Sequence, residues 1–535
     1  MTVQAAGAPP ASSAKRTLVR SAGVVALIRG LDFGLSFLVS VLLANRFGAS
    51  GQLDAFFLAR RTTVGIADTI RKLVGQVVLP PVIAAVDRGI APSVHLLPRR
   101  SAWFLATFAL VMLAGMLVPG VLVSLFAPGF KGAQHSLTEQ MMRIMMPLLP
   151  IAVVASLLAA ILQARRKYLL SEGTNLVQRA ILVLVLALFV PPLGIVAGAW
   201  TMLVSGVVGF LILLAGAWTI VRPRGSPARS GSTEDTPAPV KSQGLAAAIV
   251  INLYFQASNL LDFGFASTTQ DGGVAALEYG SRLVSLVPGL VMSSLATVLA
   301  PELIRAVQHA NRAEAAAGIQ RFQRIALFAQ LPVSVGMMLG APLMVSALFG
   351  HGAFDATAIA TAAACTAGYA AAAIFLAPMS AITSAIYADP HAPSLRDLSI
   401  IAILGLTIRS ALLAVAAPLW GAAGIAWAAA AATAIIFGVA QIVAVRRFHH
   451  FHLSAQLTDL ARNALCAAVA GMAGWALLHL VPVPKLVVTE LALLTALGAL
   501  VVLVYLGAAL MLRVPEVANL RDIAQALTTK FRRRA

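Results

Sequence analysis

Residues 44–60 recur about 222 positions further on, in a chain whose intervening segments are mostly long and apolar enough to cross a bilayer. LLANRFGASGQLDAFFLARR lines up with GFASTTQDGGVAALEYGSRL, so that Ala44 falls on Ala266, Gly51 on Gly273 and Arg60 on Arg282. LFAPGF (Leu125–Phe130) meets LFGHGAF (Leu348–Phe354), and PLGIVAGAW (Pro192–Trp200) meets PLWGAAGIAW (Pro418–Trp427); the order is kept and the offset drifts only from 222 to 227. Internal repeats in a lipid-embedded chain place a substrate site between two related bundles. Transport is therefore the first functional expectation.

The 535 residues are 59% hydrophobic and only 11% charged. A soluble chain needs roughly a quarter of its residues charged to cover a water-facing surface, so lipid is the solvent for most of this one. The net charge of +19 does not point to nucleic acid, because the basic residues are scattered through short loops and form no single stripe. Cys365 and Cys466 lie in apolar stretches and read as small core residues, with no disulfide or metal site expected. His449, His450 and His452, beside Arg446 and Arg447, read as a wet loop at a membrane face, not a metal tract. The first apolar stretch is too long for a cleaved signal peptide and reads as a retained span.

A spanning helix needs about 20 apolar residues. Fourteen candidates are centred near Val39, Ile66, Val111, Val154, Leu186, Gly209, Leu253, Val291, Met337, Ala371, Leu406, Ala431, Met472 and Leu500. The span near Ile66 is the weak one, since it holds Arg60, Arg61, Asp68, Arg71 and Lys72. Positive residues stay on the cytoplasmic side, and with the N-terminus inside, one set of loops holds nearly all of them. Arg88, Arg99 and Arg100, Arg165 to Lys167, Arg222 to Lys241, Arg446 and Arg447 and a group from Arg513 to Arg534 belong to it, against Arg46, Lys131 and Lys485 in the opposite set. Both termini are thus expected in the cytoplasm.

The predicted fold is all-α and polytopic: fourteen transmembrane helices in two pseudo-symmetric six-helix halves, plus two extra C-terminal helices. The boundaries are a tail over 1–16, a first half over 17–221, a linker over 222–243, a second half over 244–447, two unpaired spans over 448–513 and a basic tail over 514–535. The linker is rich in Pro, Ser and Gly with mixed charge and cannot bury a core. In the tail Val517, Leu520, Ile523, Leu527 and Phe531 share one helical face ahead of FRRR, the pattern of an interfacial helix on anionic headgroups.

Ionisable groups at membrane depth are costly, so each needs a partner, water or a function. Arg29, Asp32, Arg60, Arg61, Asp68, Arg71, Lys72, Arg143, Arg179, Asp262, Glu278, Arg282 and Arg409 are the candidates. Basic members outnumber acidic ones, so an anionic cargo is expected. Arginine suits phosphate because its planar fork makes two parallel hydrogen bonds and stays ionised. The repeat makes Arg60 and Arg282 equivalent, and a pyrophosphate between them is the physical picture. Arg29, Arg61, Arg71 and Lys72 complete the expected substrate set. The competing reading pairs Arg282 with Glu278 one turn away, and Arg29 with Asp32. Arg143, Arg179 and Arg409 have stems long enough to snorkel and are left out of the set. Asp262 is the one isolated carboxylate in its span and a candidate for a cation. Pro147, Pro150, Pro288 and Pro342 interrupt spans and kink or hinge them.

These stretches resemble the MurJ/MviN lipid II flippases, within the superfamily that also holds polysaccharide flippases and MATE drug exporters. The resemblance is carried by RFGASGQLDAFFLA (Arg46–Ala59), LFAPGF, MMPLLP through AILQARRKYLL, GVAALEYGSRLVSLVPGLVMSSLATVLAPEL (Gly273–Leu303), LPVSVGMMLGAPLMVSALFGHGAF and AIYADPHAP, and covers both six-span halves in order. It implies fourteen spans with both ends cytoplasmic, and it implies that Arg282 contacts the lipid pyrophosphate. Phe33 and Val39 stand where the family's first-span arginines usually lie, Arg71 and Lys72 stand near its second-span basic pair, and Ser281 replaces an acidic residue often found before the span-eight arginine.

The implied activity is movement of a polyprenyl-pyrophosphate-linked saccharide, lipid II by default, across the bacterial inner membrane. The alternatives are another undecaprenyl-linked exopolysaccharide or O-antigen unit, a drug exporter, a non-transporting envelope-assembly scaffold, and a membrane glycosyltransferase or ligase. No cofactor, metal or nucleic acid is expected. A coupling ion (sodium or proton) or the membrane potential would supply energy, and partners would be the bilayer, the lipid-linked cargo and other envelope-synthesis proteins. No GxxxxGK[ST] nucleotide loop is present in the sequence.

Overall fold

The computed structural model describes residues 11–77, 82–83, 115, 117–165, 167–188, 194–221, 242–308, 312–389, 394–448, 451, 453–481 and 486–517. Fourteen helices and no strand occur among them. Nine of the described helical segments are long and apolar enough to cross a membrane, so this is a multi-pass membrane protein. The expected span near Val111, the linker over 222–241, the histidine tract at 449, 450 and 452 and the tail from 518 lie outside the described residues.

The chain divides into two compact units. One takes Met1–Leu43, Ala59–Pro119 and Glu139–Val240, and the other takes Ala44–Leu58, Gly120–Thr138 and Lys241–Ala535. The first unit is built on α1 (Ala11–Phe47), α2 (Gly51–Val77), α5 (Leu148–Ala164), α6 (Tyr168–Leu188) and α7 (Val196–Val221). α3 (Pro119–Phe126) and α4 (Gly132–Met145) precede α5. The chain breaks at Pro147, whose φ of −57° and missing N–H suit the residue ahead of a new helix. α2 is absent from the membrane-length set because five ionisable groups crowd residues 60–72.

The second unit carries α8 (Ser242–Ala266), α9 (Gly273–Gln308), α10 (Arg312–Phe349), α11 (Ala356–Ala388), α12 (Ser394–Arg447), α13 (Leu453–Leu480) and α14 (Val487–Met511). α12 would be about 80 Å long if straight, far beyond a hydrocarbon core of about 30 Å. It is two helices meeting at Gly421, which has φ 56° and ψ −146°. That backbone costs a residue with a Cβ steric strain. Gly194, its counterpart in the repeat, also has positive φ, 72°. The spans read near Leu406 and Ala431 are these two segments.

Ile319, Phe322, Ile382, Ile386, Leu398 and Ile436 are buried in the main core of this unit. A second cluster, with Phe328, Cys466, Leu497, Val501 and Tyr505, packs α13 and α14 onto α10. The Tyr505 hydroxyl donates to Asn463 Oδ1 at 2.9 Å, and Ser346 donates to Glu490 at 3.0 Å. With lipid outside, apolar burial gives helices little reason to associate, and close backbone packing at small residues takes over. A Cβ on Gly368 would lie 2.7 Å from the Ala426 carbonyl carbon, and one on Gly280 2.8 Å from the Thr366 nitrogen. Both cysteines are buried and free.

The repeated motifs converge on one set of turns in this unit. The Ala353 N–H donates to the Asn45 carbonyl at 3.0 Å, the Gly129 N–H to the Ser267 hydroxyl at 3.1 Å and the Gln134 amide to the Gly51 carbonyl at 3.2 Å. Gly352, at φ 67°, lies so close to Asn45 that a Cβ would meet its carbonyl oxygen at 2.3 Å. The turns of FGAS, APGF, TTQDGG and GHGAF interlock through backbone groups that longer side chains would push apart.

Candidate functional site

In the second unit, the first turn of α2 reaches the start of α9. The buried Asp54 carboxylate accepts the Gly272 N–H through Oδ2 and the Ala275 N–H through Oδ1, each at 2.7 Å. Both donors belong to the N-terminal end of α9, where unpaired amides and the helix dipole favour an anion. One turn along α9, Tyr279 is fully buried among aromatic rings. Phe57 and Phe354 meet it edge-on at 5.5 and 5.4 Å and Phe349 lies at 4.8 Å. Offset and edge-to-face pairs of this kind are each worth about 0.5–1.5 kcal/mol. This cluster and the Asp54 cap fix the rotation of α9. Glu278 is buried and Arg282 half-buried, one turn past Tyr279.

Asp262 on α8 does not stand alone as the sequence suggested. Arg409 on α12 grips it with two hydrogen bonds, Nε to Oδ1 at 2.8 Å and Nη2 to Oδ2 at 2.6 Å. The Tyr369 hydroxyl on α11 adds a third at 3.0 Å. The side chains are 1% and 11% exposed, so the pair is sealed and neutral overall. A cation bound at Asp262 would have to displace a bidentate guanidinium. Arg409, set aside as a snorkelling residue, is a buried structural partner.

In the first unit the charges line a cavity of about 180 Å³. Asp32 comes from α1, Asp68 and Arg71 from α2, and Asn175, Gln178 and Arg179 from α6. Asn175, Gln178, Arg179 and Leu182 follow an i, i+3, i+4, i+7 spacing, so one stripe of α6 faces the space. Arg179 faces Asp32 at 3.6 Å, and Arg71 pairs with Asp68 at 3.1 Å. Asp32 therefore has Arg179 as its described ion-pair partner; Arg29 lies on α1 and its side chain falls outside the described residues. Arg60 and Arg61 are half-buried and Lys72 exposed. Arg60 and Arg282 belong to different units, and each is described in its own. Arg143 pairs with Glu139 at 2.8 Å, one turn away. Among the described residues no cluster of His, Cys, Asp and Glu is arranged to hold a metal.

At what the sequence places on the cytoplasmic side, Arg447 bridges two carboxylates. It reaches Asp389, next to the end of α11, at 3.0 Å and also pairs with Asp397 in the first turn of α12. The motif AIYADPHAP thus supplies a carboxylate that ties α11 to the far end of α12.

The described residues make an all-helical, repeat-built polytopic membrane protein with ionised side chains inside its helix bundles. The family model described as lipid II flippase MurJ matches residues 43–497, and the chain belongs to that family. It is 29% identical over 245 residues to a probable lipid II flippase MurJ of Rhizobium meliloti (strain 1021), covering 44% of this chain and 45% of that one. It is 25% identical over 349 residues to the lipid II flippase MurJ of Burkholderia cenocepacia, covering 61% and 65%. The matched stretches span less than two thirds of these relatives' lengths. Among solved structures, a lipid II flippase MurJ in an inward closed conformation shares the fold at a TM-score of 0.70 and 18% identity, over 92% of this chain and 99% of that one. An inward-facing MATE-family multidrug resistance transporter follows at 0.60 and 14%, over 78% and 94%.

Proposed function

We propose that this chain moves a polyprenyl-pyrophosphate-linked saccharide, lipid II by default, from the cytoplasmic to the periplasmic leaflet for peptidoglycan synthesis, as a transporter and not an enzyme. The family match across residues 43–497 carries this reading. The protein sits in the bacterial inner membrane with both ends in the cytoplasm, a reading that the distribution of loop charges supports. The two repeat halves, 17–221 and 244–447, rock about the bound headgroup while the prenyl tail stays in lipid. Arg282 and Arg60 bind the pyrophosphate, with Arg29, Arg61, Arg71 and Lys72 around them, because guanidinium forks match phosphate oxygens.

No covalent step is involved. Returning a cationic site across the membrane draws on the membrane potential, worth about 2.3 kcal/mol per charge per 100 mV. Coupling through Asp262 is disfavoured, since its carboxylate already holds Arg409. A second reading, another undecaprenyl-linked unit as cargo, is favoured by Phe33, Val39 and Ser281 standing where the resemblance implies charged groups. Depletion of the protein followed by analysis of lipid-linked intermediates separates the two. Lipid II accumulates under the first reading and a different pyrophosphate-linked saccharide under the second. Accumulation of neither removes both.

A further inference from the structure

In the second unit, α12 meets α8 along a buried polar stripe. Tyr254, Ser258 and Asp262 follow at i, i+4 and i+8 on α8 and so share one face, and all three are buried. Gly405 and Arg409, one turn apart on α12, lie opposite them. A Cβ on Gly405 would fall 2.6 Å from the Tyr254 ring, so the two helices approach this closely only because glycine stands there. Arg409 then reaches both oxygens of Asp262, at 2.8 and 2.6 Å. The Tyr369 hydroxyl of α11 donates to the same carboxylate at 3.0 Å.

A carboxylate sealed from water is strongly destabilising unless it is neutralised. Inside a span the neutralising charge is either a side chain fixed to the protein or an ion that comes and goes. The oxygens around Asp262 would suit the second arrangement. Its own carboxylate, the Tyr369 hydroxyl and the Ser258 hydroxyl one turn away are donors of the kind a hard cation takes. The guanidinium decides between the two. It covers both carboxylate oxygens with two parallel N–H groups, the geometry in which arginine holds a carboxylate best, and the two side chains are 11% and 1% exposed. A metal ion at Asp262 would have to expel a charge that cannot diffuse away, and would leave a bare guanidinium buried beside it. The coupling cation expected at Asp262 therefore does not fit the residues present.

We infer that Arg409 is a resident counter-ion: its guanidinium stands, on a tether, where a diffusible alkali-metal ion would otherwise neutralise Asp262. The fixed charge travels with α12 and never leaves the protein, so a sodium gradient has nothing to act on at this carboxylate. That consequence for coupling rests on the transport reading. The exchange of a bound ion for a guanidinium does not, because it concerns only what neutralises Asp262.

The test is thermal unfolding of the full-length protein, extracted and held in lipid nanodiscs in sodium chloride or in choline chloride at matched ionic strength. The wild type is expected to melt at the same temperature in both salts. Arg409→Ser vacates the guanidinium's place and leaves Asp262 without a counter-charge. This variant is expected to melt lower in choline and to recover as sodium is raised, as a protein does with a ligand that binds only its folded form. Arg409→Lys keeps a fixed charge and is expected to ignore the choice of salt. Asp262→Asn combined with Arg409→Ser removes the need for any charge and is expected to ignore it too. A sodium-specific rise in the wild type that the double variant lacks overturns the inference. An Arg409→Ser protein that melts alike in both salts, or that sodium cannot keep folded, overturns it as well. Depletion chemistry decides the transport reading separately, since the response to sodium needs no cargo.

Discussion

Asp54 caps α9 through the Gly272 N–H, 218 residues away along the chain, at 2.7 Å. The same carboxylate takes the Ala275 N–H through its other oxygen. A carboxylate at a helix N-terminus answers both the unpaired amides and the helix dipole. It also sets where α9 starts, and so where Tyr279 and Arg282 fall.

Replacing Asp54 by Ala strips both amides of their acceptor inside a buried site. Hydrogen bonds to a charged group are each worth about 1.5–3 kcal/mol, so a loss of about 3 kcal/mol is expected from Asp54→Ala, with Asn losing less. Thermal unfolding in detergent reads this directly. A melting temperature within error of the wild type shows that the cap is dispensable.

The Asp262–Arg409 pair behaves differently when one partner is removed than when both are. Arg409→Met leaves a buried carboxylate without its counter-charge, which costs about 3–5 kcal/mol. Asp262→Asn together with Arg409→Met is expected to recover a large part of that. A double-mutant cycle on unfolding in nanodiscs measures the coupling, and additive losses contradict it.

Arg282→Ala is expected to abolish complementation of a depletion strain while membrane abundance stays at the wild-type level, because the side chain is only half-buried. Arg60→Ala is expected to be damaging as well. Full activity of Arg282→Ala removes it from the substrate set, and a silent Arg60→Ala confines the site to the second half.

Asp355 gives a pH signature outside the spans. Its side chain accepts the Ala358 N–H at 2.7 Å and the Thr357 hydroxyl at 2.8 Å ahead of α11. These bonds hold its carboxyl below the usual range. A depressed native pKa means the cap's stabilisation is complete above the unfolded value of about 3.9 and fades as pH falls through the native one. Melting curves from pH 7 down to 3 are expected to drop more steeply for the wild type than for Asp355→Asn. Parallel curves refute the assignment.

Topology is open to labelling, with Cys365 and Cys466 buried and so giving little background. Cysteines at Ser136, which is exposed, and at Ser232, in the linker, are expected to react from opposite sides of the membrane. Labelling from the same side contradicts the orientation read from the loop charges.

Much of the architecture is legible in the residues because lipid leaves few options. Apolar runs of the right length become helices, and even the join inside α12 is announced by PLWG, whose glycine takes a left-handed φ as Gly194 does. The interlocked turns are foreshadowed too, since FGAS, APGF, TTQDGG and GHGAF are the repeated, glycine-bearing stretches. The ion pairing is not. Asp262 looks isolated because its counter-charge is 147 residues away, and periodicity within one helix cannot reveal a partner on another. The signal that could have found it is the repeat itself. Asp32 to Asp262 and Arg179 to Arg409 share an offset of 230, close to but outside the 222–227 of the other motifs.

Segments 44–58 and 120–138 group with residues 241–535 and not with their own sequence neighbours. Within that unit, both segments are tied to the residues after 241 by contacts in space and not by their neighbours along the chain. Two polypeptides severed within residues 222–241 and made in the same cell would re-form one particle, held by the Asn45–Ala353, Gly129–Ser267 and Asp54–Gly272 contacts.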